Sequence, residues 1–244
     1  MIEIGGRSAD IRALAAGLPP GGIEATILAS MAAGRTVYAF DESEELLFEL
    51  RLRAATVAAA LALPQSGMGF AVFRRSRCNP AYWRRNAQGE FVLKAGVSPA
   101  AAILNIYEDG PAYATECATA IVIILYRAVL SVLPAPVFNY AFPSIWLMNW
   151  RNVNPLFHGV AQMSPETEFL PGDRRYFVNP DVNPETPEWR GENVIQLPDN
   201  LFFGHGIGTG SAAAIIRELN RNRAPDAREP AYLLDQAGRP AYRR

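Results

Sequence analysis

The spacing of hydrophobic positions changes character partway along the chain. A Pro19-Pro20-Gly21-Gly22 turn is followed by a small helix predicted over 23–33. Asp41 with Glu44 three residues later reads as a capping box. It opens a long amphipathic helix through Leu46, Leu47, Leu50, Leu52 and Val57, which ends before Pro64. Three short runs, 70–73, 82–85 and 91–94, predict strands, the last two joined by a turn at 86–89. Ser98 and Pro99 form an N-cap and first-turn pair for a helix to about Tyr107, stopped by Asp109-Gly110-Pro111. From Glu116 the run Ala118-Thr119-Ala120-Ile121-Val122-Ile123-Ile124-Leu125 is apolar on nearly every face, so a central buried helix is expected, ending at Pro134. Past residue 145 the pattern turns to strand: 145–150, 175–178, 193–197 and 201–204, with Pro198-Asp199-Asn200 as a hairpin turn between the last two. A final helix is predicted over 210–222. The tail from Arg223, rich in Pro, Arg and Ala, is expected to be loosely held. Buried helices first and antiparallel strands afterwards point to α+β layers in a single domain over 1–244.

Composition adds bounds rather than a function. Of 244 residues half are hydrophobic and 19% charged, with a formal net charge of −1. That balance gives no reason to expect a nucleic-acid or anionic-membrane partner. The basic clusters at 74–77 and 84–85 read as solvated faces, with an anionic partner as the other reading. The longest apolar run, 117–126, is about half the ~20 residues that a bilayer requires. Residues 1–12 lack a basic stretch followed by an apolar one, which predicts synthesis in a reducing cytosol. Lys94 is the only lysine against 22 arginines. Either a GC-rich genome or an enzyme that attacks lysines and offers few of its own would produce that imbalance.

Two cysteines, Cys78 and Cys117, make neither a disulfide framework nor a zinc spacing, and no metal or cofactor is implied. Cys117 falls at the first turn of the apolar helix. Backbone N–H groups and the helix dipole there favour a thiolate and can hold an oxyanion; a packed structural cysteine is the alternative. Such a nucleophile needs a proton acceptor and a donor for the leaving group. His205, in Gly204-His205-Gly206 at a strand end, would give a papain-like cysteine protease or amidase; a satisfied strand-end histidine is the other reading. Glu192 stands before an apolar strand, as a proton carrier or as a surface acid paired with Arg190. Glu116 precedes the cysteine, as a second acid or as a first-turn charge on the dipole. His158 lies in a polar loop and carries little weight.

The stretch 111–124, Pro-Ala-Tyr-Ala-Thr-Glu-Cys-Ala-Thr-Ala-Ile-Val-Ile-Ile, resembles the nucleophile segment of the sporulation-associated bacterial transglutaminases. Glu188-Trp189-Arg190-Gly191-Glu192-Asn193-Val194-Ile195 and Gly204-His205-Gly206-Ile207-Gly208 are similar to that family's second active-site segment, and 47–53 and 231–237 fit its outer framework. The stretch 152–171 departs from the family pattern. The resemblance implies a single compact papain-like (NlpC/P60-like) core, with the nucleophile helix packed on an antiparallel sheet. It further implies a calcium-independent, cofactor-free protein-glutamine γ-glutamyltransferase. Cys117 would be the nucleophile in a tunnel and Glu192 the acid/base, with Glu116 a possible stand-in and His205 a supporting residue. Phe70, Trp150 and Trp189 would be aromatic positions of the tunnel wall, ordinary core packing being the other reading, and Asn193 would bind substrate beside them. The partners implied are proteins bearing glutamine and lysine side chains, spore-coat proteins above all. The enzyme would be a monomer made in the mother cell and acting at the spore coat. A cysteine amidase using Cys117 and His205, and a non-enzymatic coat component, remain as other classes. Because a neighbouring carboxylate disfavours a thiolate, the resting state expected is a neutral thiol.

Overall fold

The computed structural model describes residues 1–151, 153–166 and 168–241. Positions 152 and 167 of the divergent 152–171 stretch, and 242–244 of the tail, lie outside the described residues. Helix α1 (Ser43–Ala62) does not start on the expected Asp41–Glu44 box: its N-cap is Glu42, without a side-chain cap bond, and Glu45 Oε2 rather than Glu44 accepts the Asp41 N–H at 2.8 Å. Its buried stripe includes Leu46, Leu50, Leu52 and Val57. Helix α2 (Pro99–Glu108) is capped as its sequence predicts, Ser98 Oγ accepting from Ala101 N at 3.3 Å.

Helix α3 (Cys117–Val132) runs through the middle of the main core, and every residue from Cys117 to Tyr126 is buried. No helix among the described residues is long and apolar enough to cross a membrane. An all-round apolar helix must be covered on all sides. Here α1 and α2 cover part of it, and the sheet covers another part.

The main sheet is antiparallel. Strand β1 (Arg174–Val178) pairs with β2 (Gly191–Gln196), β2 with β3 (Leu201–Gly204) and β3 with β4 (Gly208–Ser211), while β5 (Tyr232–Leu233) adds to the far edge of β1. The β2–β3 register, Ile195 opposite Phe203, is set by the Pro198-Asp199-Asn200 turn. Asp199 and Asn200 both take left-handed backbone there (φ 58 and 55), which these two residue types tolerate better than most. Alternation along the strands separates two faces. Ile195 and Phe203 join α3 in the main core. Phe177, Val194 and Phe202 face helix α4 (Ala212–Asn220) through Ile215 and Leu219.

Several expected elements change length. The 70–73 strand shrinks to Gly69–Phe70 because the chain turns at Phe73–Arg75, where Arg85 Nη2 ties the Phe73 and Arg74 carbonyls at 2.8 and 3.1 Å. The 145–150 strand keeps only Trp146–Leu147, since Asn149 turns with φ +40 and its N–H goes to Thr119 Oγ1. The last helix starts at Ala212 rather than 210, with Ser211 as its cap. A helix at Ala135–Ala141 follows Pro134 directly, a place proline accepts because its missing N–H has no partner in the first turn.

The tail is corrected most. Over residues 231–241 it is fastened, not loose. β5 adds to the sheet, Gln236–Ala237 pairs with Ser164–Pro165, and Gly238 exchanges two backbone bonds with Arg174 (3.0 and 2.9 Å). Arg239 then grips both carboxylate oxygens of buried Asp173 at 2.9 Å. Composition suggested a mobile end, but two charged side chains and three backbone pairings hold it.

Candidate active site

The strand pair Gly69–Phe70 and Ala114–Thr115 delivers the chain into α3, so Cys117 is its first residue and 9% exposed. Glu116 is the N-cap. Its Oε2 accepts from Ala118 N (2.6 Å), and its Oε1 accepts from Thr119 N (2.8 Å) and from the Thr119 hydroxyl. Both carboxylate oxygens are therefore taken by the helix start. This changes the expectation for the oxyanion, because two of the N–H groups assigned to it are occupied by the cap. The side-chain amide and the backbone N–H of Asn193 both reach the sulfur.

Strand β2 brings up the second half. Asn193 Nδ2 donates to Cys117 Sγ at 3.3 Å. Sequence gave Asn193 a place among substrate-binding residues, whereas the structure puts it on the sulfur. Glu192 is inside the strand rather than before it, and 5% exposed. Its carboxyl is pushed well above its ordinary value by burial and then by the charge of Glu116, against a smaller opposing effect of a hydrogen bond with the Cys117 thiol. Its Oε1 is buried without a hydrogen-bond partner. The carboxyl fits because residue 204 is glycine; a Cβ there would lie 2.7 Å from Glu192 Oε1. Burial, then Glu192, then Glu116 push the Cys117 thiol up, with Asn193 pulling the other way. Arg190, the expected surface partner of Glu192, instead bonds the Pro187 carbonyl.

His205 turns its ring to the backbone beneath the site. Its Nε2 lies 3.1 Å from the Gly69 carbonyl. Burial lowers its pKa, and hydrogen bonds to the Gly69 and Thr115 carbonyls oppose that. Phe70 is 41% exposed, 6.0 Å from the His205 ring between centroids, and closes over Gly206. Trp150 lies under the Arg174 guanidinium, 3.9 Å from it. Trp189 goes elsewhere: it packs on the Phe177, Val194 and Phe202 cluster, on the side of the sheet that faces α4. His158 opens a one-turn helix, His158–Ala161. Two surface depressions of about 380 and 580 Å³ are lined by Ala58, Arg127, Arg51 and Ser131, not by Cys117.

Arg174 was missed. It is 6% exposed; its Nε and Nη2 both donate to Asn193 Oδ1 (2.9 and 2.6 Å), and its Nη1 to the Val160 and Ala161 carbonyls (2.5 and 3.2 Å). An Arg174-Arg175 pair opening a strand looks like a solvated edge, and only the partner strand's asparagine reveals otherwise.

A thiol at a helix start, an amide on its sulfur and a buried acid beside it are parts for acyl transfer. All 244 residues match the family model for protein-glutamine gamma-glutamyltransferase. The chain belongs to that family. Transglutaminases are acyltransferases, and their substrates are proteins with glutamine and lysine side chains. Two relatives carrying that name, from Bacillus cereus (strain AH820) and Bacillus anthracis, are each 42% identical over 211 residues, covering 86% of this chain and 75% of theirs. A solved transglutaminase from Geobacillus stearothermophilus, without its C-terminal extension, superposes with a TM-score of 0.78 at 44% identity over 82% of this chain and 95% of that one.

Proposed function

We propose that this transglutaminase forms ε-(γ-glutamyl)lysine cross-links through a thioester on Cys117, without calcium, with Glu192 as the proton carrier. The contact that carries the reading is Asn193 on the Cys117 sulfur, with the raised carboxyl of Glu192 beside it. Cys117 Sγ attacks the γ-carbonyl carbon of a glutamine while its proton passes to Glu192. The oxyanion takes hydrogen bonds from Asn193 Nδ2 and Cys117 N–H. Glu192 returns the proton to the amide nitrogen, the C–N bond breaks, ammonia leaves and the thioester remains. A lysine ammonium, with a reference pKa near ~10.4, then loses a proton to Glu192. The free amine attacks the thioester carbon; Glu192 passes the proton it holds to the departing sulfur, takes the amine's second proton and releases it to solvent, and the isopeptide remains.

A carboxyl raised well above its ordinary value by burial and by Glu116 holds a proton more readily than a surface acid, which suits returning one to the leaving nitrogen. The shielding of Cys117, with Phe70 and Trp150 nearby, supports an aromatic wall that limits hydrolysis to glutamate. In this reading Glu116 acts through its charge, and His205 braces the Gly69 and Thr115 strands instead of serving as the base. The helix-on-antiparallel-sheet arrangement supports a papain-like core. The resemblance of the nucleophile block to the sporulation enzymes supports a monomer made in the mother cell and working on spore-coat proteins.

Amine incorporation into a glutamine-bearing protein, with ammonia release, tests the reaction. Cys117→Ala is expected to abolish it, Cys78→Ala to leave it largely intact, and a strong chelator to leave it unchanged. Calcium rescue after chelation refutes the metal-free reading. A dead His205→Ala with an active Glu192→Gln refutes the glutamate mechanism. A fluorescent fusion that stays off the coat in sporulating cells refutes the site of action.

A further inference from the structure

We propose that Arg174 is a positioning residue for the transfer: its guanidinium locks the Asn193 amide with the NH₂ on the Cys117 sulfur and serves as the counter-charge when that sulfur is anionic. The inference rests on the Cys117 thioester reading above. An asparagine amide can face either way, and its two ends have opposite effects on a thiolate. Turned one way it donates a hydrogen bond; turned the other it presents a carbonyl oxygen to a negative sulfur. Two N–H groups of one guanidinium converge on Asn193 Oδ1, which fixes the choice. Bonds to a charged donor are about twice as strong as neutral ones, so reversing the amide forfeits two strong bonds at once.

The guanidinium is itself held on three sides. The Val160 and Ala161 carbonyls take Nη1, the Trp150 ring lies under the plane, and the backbone of Arg174 is paired to Gly238. Every one of these acceptors is neutral. Among the described residues no carboxylate stands within ion-pair distance of Arg174, whereas buried Arg53 reaches Glu49 and Asp173; buried Arg175 likewise bonds neutral acceptors, but away from the thiol. A buried cation that lacks a permanent anion is expensive. It is offset here whenever Cys117, one amide away, carries charge. Burial lowers Arg174 to about 10, and the attraction of Cys117 opposes that fall.

The test uses the full chain in a Cys78→Ala background, so that alkylation by iodoacetamide reports Cys117. The charged and titratable groups around the sulfur are Glu192 on β2, Glu116 before α3, Arg174 and Tyr176 on β1, and His205 after β3. Arg174→Met is expected to move the alkylation profile to higher pH by about one unit or more. It should also lower kcat by roughly 10²-fold, the scale of losing one preorganised oxyanion donor. KM for a glutamine peptide should stay within about threefold, because binding is not the role assigned. Arg174→Lys keeps the charge without the fork, and should recover part of the pH profile and little of kcat. Asn193→Ala cuts the same link from the other end; its loss should match that of Arg174→Met, with the double variant well short of additive.

A folded Arg174→Met with the parent's profile and kcat overturns the proposal, as does a variant that changes only the melting temperature. If Arg174→Met does not fold, Arg174→Lys and Asn193→Ala decide: normal kcat in either overturns it, and a tenfold or larger loss in both supports it. Failure of the underlying reading is separable, since an active Cys117→Ala discards the thioester whatever Arg174 does.

Discussion

Glu192 takes a carboxyl to a place where its ionisation is opposed first by burial and then by Glu116. Such a group binds its proton more tightly folded than unfolded. Its contribution to stability is full below the unfolded value, near ~4.3, and is lost as pH climbs through the folded one. Glu192→Gln removes that penalty and the proton transfer together. The expected outcome is a loss of about 10²–10⁴-fold in rate with a melting temperature at or above the wild-type value at pH 7. The gap should widen between pH 5 and 8 by calorimetry. A variant melting lower than wild type at every pH contradicts the raised pKa. At this scale Cys117 and Glu192 could be proposed from the sequence because each stands in a long block shared with a known family. Arg174 was not: an arginine's environment is set by the strand it meets, and nothing local marks it as buried.

Between elements, glycines decide what fits. Gly204 of β3 passes the Glu192 side chain so closely that a Cβ would come within 2.8 Å of both Cγ and Oε1. Gly204→Ala therefore has to displace the carboxyl from the thiol. It is expected to lower kcat at least tenfold, a 1.4 kcal/mol change in barrier being about tenfold in rate, while far-ultraviolet circular dichroism stays native. Full activity in this variant means that Glu192 does not need its present position. Most elements were visible in the sequence where local chemistry defines them: the Ser98 cap, the all-apolar helix after Glu116, the Asp199-Asn200 turn. Those that shifted were governed by distant partners. Arg85 bends the chain after Phe70, and Thr119 bends it at Asn149. The Glu116 cap is a middle case: its position before the helix was readable, but which N–H groups it consumed was not.

At the scale of the molecule, one buried charge cluster ties the ends of the fold to the site. Arg53 of α1 and Arg239 of the tail meet on Asp173, and Arg239 also reaches Glu166 at 3.2 Å. Burial alone would raise Asp173, but the two guanidiniums outweigh it and hold the carboxyl below its ordinary value. Its contribution is therefore present above the unfolded value, near ~3.9, and disappears as pH falls through the folded one. Asp173→Asn should cost about 3–5 kcal/mol in urea at pH 7, as breaking a buried pair does, with the difference from wild type shrinking below about pH 4. A pH-independent difference refutes the ionic account. Lys94, the single lysine, is exposed but its ammonium is tied to the Pro80 carbonyl, and Gln65, Gln88 and Gln162 are exposed as well. The enzyme incubated alone is expected to stay a single band on a denaturing gel yet to take up a fluorescent monoamine. A ladder that vanishes in Lys94→Arg shows the lysine to be reachable. The strap around residues 236–241 also has a temporal meaning. It leaves the ribosome long after Cys117 and Glu192, and it supplies the backbone that pairs with Arg174 and the guanidinium on Asp173. A nascent chain thus carries its nucleophile well before its active centre is finished, and a catalyst of near-irreversible bonds becomes competent only when translation has delivered the strap.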